Sequence, residues 1–292
     1  MEILKFLFDF DAWFNTPRTN WKRDCNISEL KNVKYGEDNE NTADLYFDKD
    51  LEPTNRPVII NIHGGGWVTG KKEWRVSFCH YLAKLGYFVV NINYGLSPKY
   101  MYPVCVQHCV KAFNWVVDNA NEYGLDTQNI IVTGDSAGAH LSAMVGAVQT
   151  NYDLQQKLGI TDVRGCAKAL LLFSGPYSMD TLLNNPNASL LFKEITGKSI
   201  KEKDTYPLLR ELSPVNYINK NFPPCFISAG LNDVFCGKQE IVLQKKLDAV
   251  GVLHSDFTSN FGTHCFHLFY NHIGTKKCLS ALEAFLEEIK EK

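Results

Sequence analysis

An α/β architecture, with a mostly parallel central sheet flanked by helices, is predicted by three observations. Short apolar, β-branched runs alternate with longer stretches of helical spacing. Most runs are apolar at consecutive positions, as strands buried on both faces are. Two of them end in glycine-rich turns, at 63–67 and 134–138, where a chain leaving a strand can bend sharply.

In chain order, the first fifty residues hold an amphipathic segment and two irregular strands near 33–36 and 43–47. Val58-Ile59-Ile60-Asn61-Ile62 is the first clear buried strand, followed by 88–93, 129–133, 169–173, 225–229 and a less regular one at 252–258. Residues 103–122 place Val106, Cys109, Val110, Phe113, Val116 and Val117 on one helical stripe. Residues 137–148 are small and apolar, fit to pack closely on a sheet, and 238–250 and 276–290 are amphipathic helices. The segment 176–222, with Pro176, Pro186, Pro207 and Pro214, breaks the alternation. A structureless loop of that length is unusual in a compact domain, so it reads as a helical insertion placed to cap an active site; a surface excursion without function is the alternative. One domain over 1–292 is expected, with cap elements from 1–50 and 176–222.

Composition narrows the functional classes. Hydrophobic residues form 45% of the chain and aromatics 12%, enough for a sizeable core. The formal net charge is −2, and no basic run with interleaved aromatics marks a nucleic-acid partner. The nine cysteines are odd in number and mostly sit in apolar stretches, which fits reduced thiols and a cytoplasmic protein. The N-terminal residues lack a basic region and a small-residue cleavage site, so no signal peptide is expected, and no apolar run reaches membrane-spanning length. A homodimer is compatible with the sequence.

The two glycine turns carry the chemistry. Gly134-Asp135-Ser136-Ala137-Gly138 follows Ile130-Ile131-Val132-Thr133 and reads as G-x-S-x-G, a serine on a strand-to-helix turn. His63-Gly64-Gly65-Gly66-Trp67 follows the 58–62 strand and can aim bare backbone N–H groups at a developing oxyanion. The expected donors are the amides of Gly65, Gly66 and Ala137, the last at the positive end of a helix dipole. A serine hydroxyl needs a base oriented by an acid, and in this chain order acid and histidine follow the serine. Asp233 stands just past the strand at 225–229, with Asp180 as a weaker rival. His264 follows Gly262 after the last strand; His267, three residues on, is its competitor. His63 is expected to hold the glycine loop, and Trp67, Trp74, Phe235 and Phe266 are candidate pocket residues. Neither turn matches a nucleotide-binding pattern. Cys105, His108 and Cys109 share a helix but have no second ligand pair at zinc-like spacing, so no metal or other cofactor is expected.

On these residues, together with Asn93-Tyr94-Gly95-Leu96-Ser97-Pro98 and His264-Cys265-Phe266, the chain resembles the α/β-hydrolase superfamily, and within it the hormone-sensitive-lipase-like esterases, over about 57–290. The resemblance implies cofactor-free hydrolysis of a small carboxylic ester, often of short acyl chain. Ser136 would be the nucleophile, Asp233 the acid, His264 the base, and Gly65, Gly66 and Ala137 the oxyanion hole. Three departures stand out. Such enzymes usually read Tyr-Arg-Leu-x-Pro-Glu where this chain has Tyr94-Gly95-Leu96-Ser97-Pro98-Lys99, and often carry aspartate where it has His108. Gly138-Ala139-His140-Leu141 is also similar to kynurenine formamidases and acetyl-sugar esterases, which keeps arylformamidase and acetyl-carbohydrate deacetylase as alternatives. A non-enzymatic receptor on the same fold is a remoter one.

Overall fold

Buried strands need partners on both edges, and the six inner strands of one eight-stranded sheet, among the described residues, have them. The structure, a computed structural model, describes residues 19, 24–183, 186–199, 201 and 205–291. The strands are β1 (Ile27–Lys34), β2 (Thr42–Asp48), β3 (Arg56–Ile62), β4 (Phe88–Ile92), β5 (Leu125–Asp135), β6 (Ala169–Phe173), β7 (Cys225–Gly230) and β8 (His254–Ser259), in spatial order β1-β2-β4-β3-β5-β6-β7-β8. β2 runs antiparallel to both its neighbours, and β3 to β8 are mutually parallel.

Helices cover both faces: α1 (Val76–Lys84), α2 (Val104–Asp118), α3 (Ala137–Thr150), α4 (Tyr152–Lys157), α5 (Met179–Leu182), α6 (Pro186–Thr196), α7 (Thr205–Glu211), α8 (Gln239–Val250) and α9 (Thr275–Lys290). The continuous apolar runs have a simple cause. Val58, Ile60 and Ile62 of β3 pack with α2 and α3, whereas Ile59 packs with α1 and α9. Each strand therefore feeds alternate side chains to opposite cores. The expected α/β class and parallel sheet are what the chain adopts, and among the described residues no helix is long and apolar enough to cross a membrane.

The differences lie at edges and in short elements. β1 begins at Ile27 rather than near 33, because its ladder is interrupted between Leu30 and Val33, where Asn32 takes φ 58°. α1 has no counterpart in the sequence reading; its buried face includes Ser77 and His80, which dilute the apolar period. The helix expected over 103–122 stops at Asp118, and a separate single turn follows at Ala120–Tyr123. Residues 1–18 and 20–23, which include much of the N-terminal amphipathic segment, lie outside the described residues.

Topology also fixes where a ligand can sit. From β3 the chain moves outward to β4, then crosses back to the other side of β3 to form β5. The loops leaving the carboxyl ends of β3 and β5 thus diverge, and that crevice is the favoured ligand site of open parallel sheets. Both glycine motifs emerge there.

Polar residues near the strand ends anchor the loop after β3. Asn61 Nδ2 donates to Asn91 Oδ1 at 2.8 Å, Asn91 Nδ2 to the Lys72 carbonyl at 2.8 Å, and the Lys72 amide to Asn93 Oδ1 at 2.7 Å. The Lys72 side chain is itself buried, with Nζ 2.8 Å from Asp44 Oδ1, 2.9 Å from Asn32 Oδ1 and 2.9 Å from Glu73 Oε1. Removing one member of such a pair strands the other charge. Lys72→Ala should therefore destabilise the fold by ~3–5 kcal/mol in urea unfolding; a loss below ~1 kcal/mol, the range of surface pairs, would contradict this account.

Candidate active site

β5 ends at Asp135 and α3 begins at Ala137, leaving Ser136 alone in the turn with φ 53° and ψ −120°. A non-glycine residue in such a conformation costs on the order of 1–3 kcal/mol and persists only when its surroundings fix it. The Ser136 amide donates to the Phe173 carbonyl at 2.8 Å. The flanking glycines allow the close approach: a Cβ on Gly138 would lie 2.0 Å from the Ile62 carbonyl oxygen, and one on Gly134 would lie 2.4 Å from the Gly138 carbonyl carbon.

The structure brings Asp233, His264 and Ser136 together from three separate loops. His264 Nε2 lies 2.9 Å from Ser136 Oγ, and Nδ1 lies 2.8 Å from Asp233 Oδ2. An ionised carboxylate only accepts, so Nδ1 carries the ring proton and Nε2 is left to accept from the serine hydroxyl. Asp233 Oδ1 accepts from the Phe235 and Cys236 amides at 2.9 Å each. Burial pushes the Asp233 carboxyl upward, but the His264 hydrogen bond, with these two amides, outweighs it and holds the group below its ordinary range.

His267 is elsewhere. Its ring stacks on Phe173 at 4.0 Å between centroids, it is buried, and neither ring nitrogen has a hydrogen-bond partner among the described residues. Burial drives its pKa down to about 3. His63 likewise faces inward: Nδ1 donates to the Gly64 carbonyl at 2.8 Å, and the ring stacks on Tyr94 at 4.4 Å. Tyr94 Oη in turn donates to the His63 carbonyl at 3.0 Å. Of the candidate pocket aromatics, Phe266 and Trp67 are buried, Trp74 is half-buried, and Phe235 is exposed with its ring 5.2 Å from that of His264.

The glycine loop lies against the elbow. A Cβ on Gly64 would meet Asp135 Oδ2 at 2.4 Å and Ser136 Cβ at 3.1 Å, so the loop backbone rests on the serine. Gly65 (φ 132°), Gly66 (φ 59°) and Trp67 (φ 62°) then take left-handed conformations in succession. A Cβ on Gly65 would lie 2.1 Å from the Thr69 carbonyl oxygen, whose residue donates its amide to the Gly65 carbonyl at 3.1 Å. Ala137 is the first residue of α3, where helical amides lack internal acceptors.

Two features escaped the sequence reading. Arg75 forms a two-pronged pair with Asp135, the residue before Ser136, Nε to Oδ1 and Nη2 to Oδ2 at 2.5 Å each. Burial raises the Asp135 carboxyl, but the Arg75 guanidinium more than reverses this and holds it low. The aspartate was visible inside G-D-S-A-G; its arginine lies sixty positions earlier with no local signal. The second feature is His140, one helical turn after Ser136, which touches both Trp67 and Leu212.

The sequence departures also have a physical account. Gly95 has no room for a side chain, since a Cβ there would lie 2.6 Å from Tyr100 Cγ. His108 Nδ1 accepts the Gly95 amide at 3.0 Å, and Nε2 donates to Asp38 Oδ2 at 3.0 Å. A histidine–aspartate pair thus occupies the neighbourhood where the arginine-containing pattern is missing.

Burial lowers His63 and His140 to about 4 and His267 to about 3, against 6.5 when free. The unfolded chain binds more protons below that free value, so this stabilisation is full above pH 6.5 and declines as pH falls toward 4. Each group contributes about 1.4 kcal/mol per pH unit inside its window; His254, which burial pushes down but the hydrogen bonds and charges of Asp248 and Asp256 together raise above its ordinary value, partly offsets them. Urea unfolding at pH 5 should show several kcal/mol less stability than at pH 7.5, and a flat profile would rule the account out.

Comparison with known proteins bears on the family and the fold. The BD-FAE family profile matches residues 43–247. Esterase LipQ of Mycobacterium tuberculosis is 30% identical over 209 residues, 70% of this chain and 49% of that protein. The probable carboxylic ester hydrolase LipM of the same organism is 32% identical over 206 residues, 69% of this chain and 47% of that protein. The chain thus spans about half the length of these curated relatives. Among solved structures, Esterase B from Lactobacillus rhamnosis superposes with a TM-score of 0.86 at 23% identity, covering 99% of this chain and 95% of that one. A bacterial heroin esterase reaches a TM-score of 0.77 at 22% identity, over 94% and 88% of the two chains. At these identities the shared property is the fold.

Proposed function

This chain belongs to the BD-FAE family within the α/β-hydrolases, and from that membership and the geometry of the site we propose that it is a serine carboxylesterase acting on small, short-acyl carboxylic esters. The observation that carries the reading is the continuous hydrogen-bonded relay from Asp233 through His264 to Ser136, at 2.8 and 2.9 Å. The curated relatives bearing esterase names support the reaction class, and the resemblance to hormone-sensitive-lipase-like enzymes supports the acyl preference.

The mechanism uses only side chains and backbone of this chain. Ser136 Oγ attacks the ester carbonyl as His264 Nε2 takes its proton, while Asp233 keeps the ring in the Nδ1–H tautomer and stabilises the imidazolium. Negative charge forms on the former carbonyl oxygen and meets the amides of Gly65, Gly66 and Ala137, each such donor being worth ~3–4 kcal/mol in comparable sites. Collapse breaks the ester C–O bond; His264 gives its proton to the departing alcohol, leaving an acyl-Ser136. Water, deprotonated by His264, then releases the carboxylic acid and restores the serine. Nine unpaired thiols, seven of them buried, support a cytoplasmic location.

Ser136→Ala should lower kcat on p-nitrophenyl butyrate by ~10⁴-fold or more, and a variant that turns over at the native rate ends the assignment. His264→Ala should match that loss, whereas His267→Ala should leave kcat within about ten-fold and reduce stability instead, through the cavity left against Phe173. The reverse pattern would move the base to His267. A series of acetate, butyrate and dodecanoate esters, with acetylated xylose and N-formylkynurenine alongside, checks the substrate class; faster turnover of either of the last two replaces the short-acyl ester reading.

A further inference from the structure

We propose that His140 is a positioning residue, which clamps the Trp67 indole to the Leu212 carbonyl and so holds the glycine loop in the shape that aims the Gly65 and Gly66 amides at the reacting oxygen. The inference rests on the esterase reading above and adds a part to it.

The loop needs an external hold. Three consecutive residues, Gly65, Gly66 and Trp67, have positive φ, and a bulky side chain in that region is a genuine outlier that its surroundings must enforce. Trp67 is buried, which supplies packing but no direction. Direction comes from its indole Nε1–H, which donates to His140 Nδ1 at 3.3 Å, the two rings meeting edge-on at 5.1 Å and 90°. The other ring nitrogen, His140 Nε2, donates to the Leu212 carbonyl at 2.7 Å.

Donor and acceptor roles leave one protonation state. A carbonyl only accepts and an indole N–H only donates, so Nε2 bears the proton and Nδ1 is bare. The imidazole is therefore neutral and spent entirely on this bridge. His140 stands on the nucleophile helix, its amide bonded to the Ser136 carbonyl at 3.1 Å. Leu212 follows α7 in the 176–222 insertion. One ring thus joins the three pieces that must agree on geometry: the nucleophile helix, the oxyanion loop and the insertion. A histidine buried merely for packing would not need both nitrogens matched to opposite partners.

The test compares His140→Ala, His140→Asn and Trp67→Phe, singly and as the alanine–phenylalanine double variant. Asparagine places a side-chain oxygen near the position of Nδ1, restoring the acceptor for the indole while losing Leu212. His140→Ala and Trp67→Phe should each lower kcat on p-nitrophenyl butyrate by roughly ten- to hundred-fold, below the 10²–10³ cost of deleting an oxyanion donor outright, with KM within about three-fold. The double variant should lose no more than the worse single, since both remove one interaction, and His140→Asn should recover most of kcat. Binding of a trifluoromethyl ketone, which forms an oxyanion adduct with the serine, should weaken in step with kcat. If His140→Ala lowers thermal stability but leaves kcat and ketone affinity unchanged, or if the two single losses multiply, the positioning role is wrong. If His140→Ala does not fold, Trp67→Phe decides alone: unchanged kcat there overturns the proposal. Inert unmodified protein whose Trp67 indole N–H resonance still moves on His140→Ala would overturn the esterase reading and leave the clamp standing.

Discussion

The contact on which the rest of the molecule depends is the approach of the Ser136 turn to the end of β3. Gly138 sits so close to the Ile62 carbonyl that even a methyl group would collide with it. That approach sets the serine above the carboxyl end of the sheet. It forces Ser136 into a conformation that few side chains adopt, and it brings the loop leaving β3 within van der Waals range of that serine. Two glycine motifs far apart in the chain thereby become one site.

Holding this arrangement requires polar groups in the interior, and their burial is tolerable because they are partnered. Arg75 neutralises Asp135 under the turn. Asn61, Asn91 and Asn93, with the backbone of Lys72, fix the far end of the loop. His63 and Tyr94 brace its start. An unsatisfied group at any of these points would cost more than a hydrogen bond gains, so these pairings specify one loop position rather than merely permitting it. His63, His140 and His267 act differently: burial holds each of them neutral, which ties the stability of the site to pH.

The rewired region around Gly95 shows which parts of the pattern are interchangeable. Where an arginine-centred pattern is common, Tyr100 fills the space beside Gly95 and the His108–Asp38 pair supplies the polar contact. The pair reaches the segment after β4, and the relay of Asp233, His264 and Ser136 is formed alongside it.

The sequence by itself determined the parallel sheet, most strand positions, and the chain order of serine, acid and histidine. Each of these is written in short-range terms: consecutive apolar residues for a strand covered on both faces, glycine where the backbone must turn, turn residues past strand ends. Only the tertiary structure decided the pairings. His264 and His267 are three residues apart and chemically alike; one reaches Ser136 and the other lies buried on Phe173 because a 3₁₀ turn at Phe266–Leu268 turns them to different sides. Arg75 with Asp135, Lys72 with Asp44, and His140 between Trp67 and Leu212 join residues 28 to 73 positions apart. No local periodicity encodes such partners, since what selects them is the shared removal of water when the loops close over the end of the sheet.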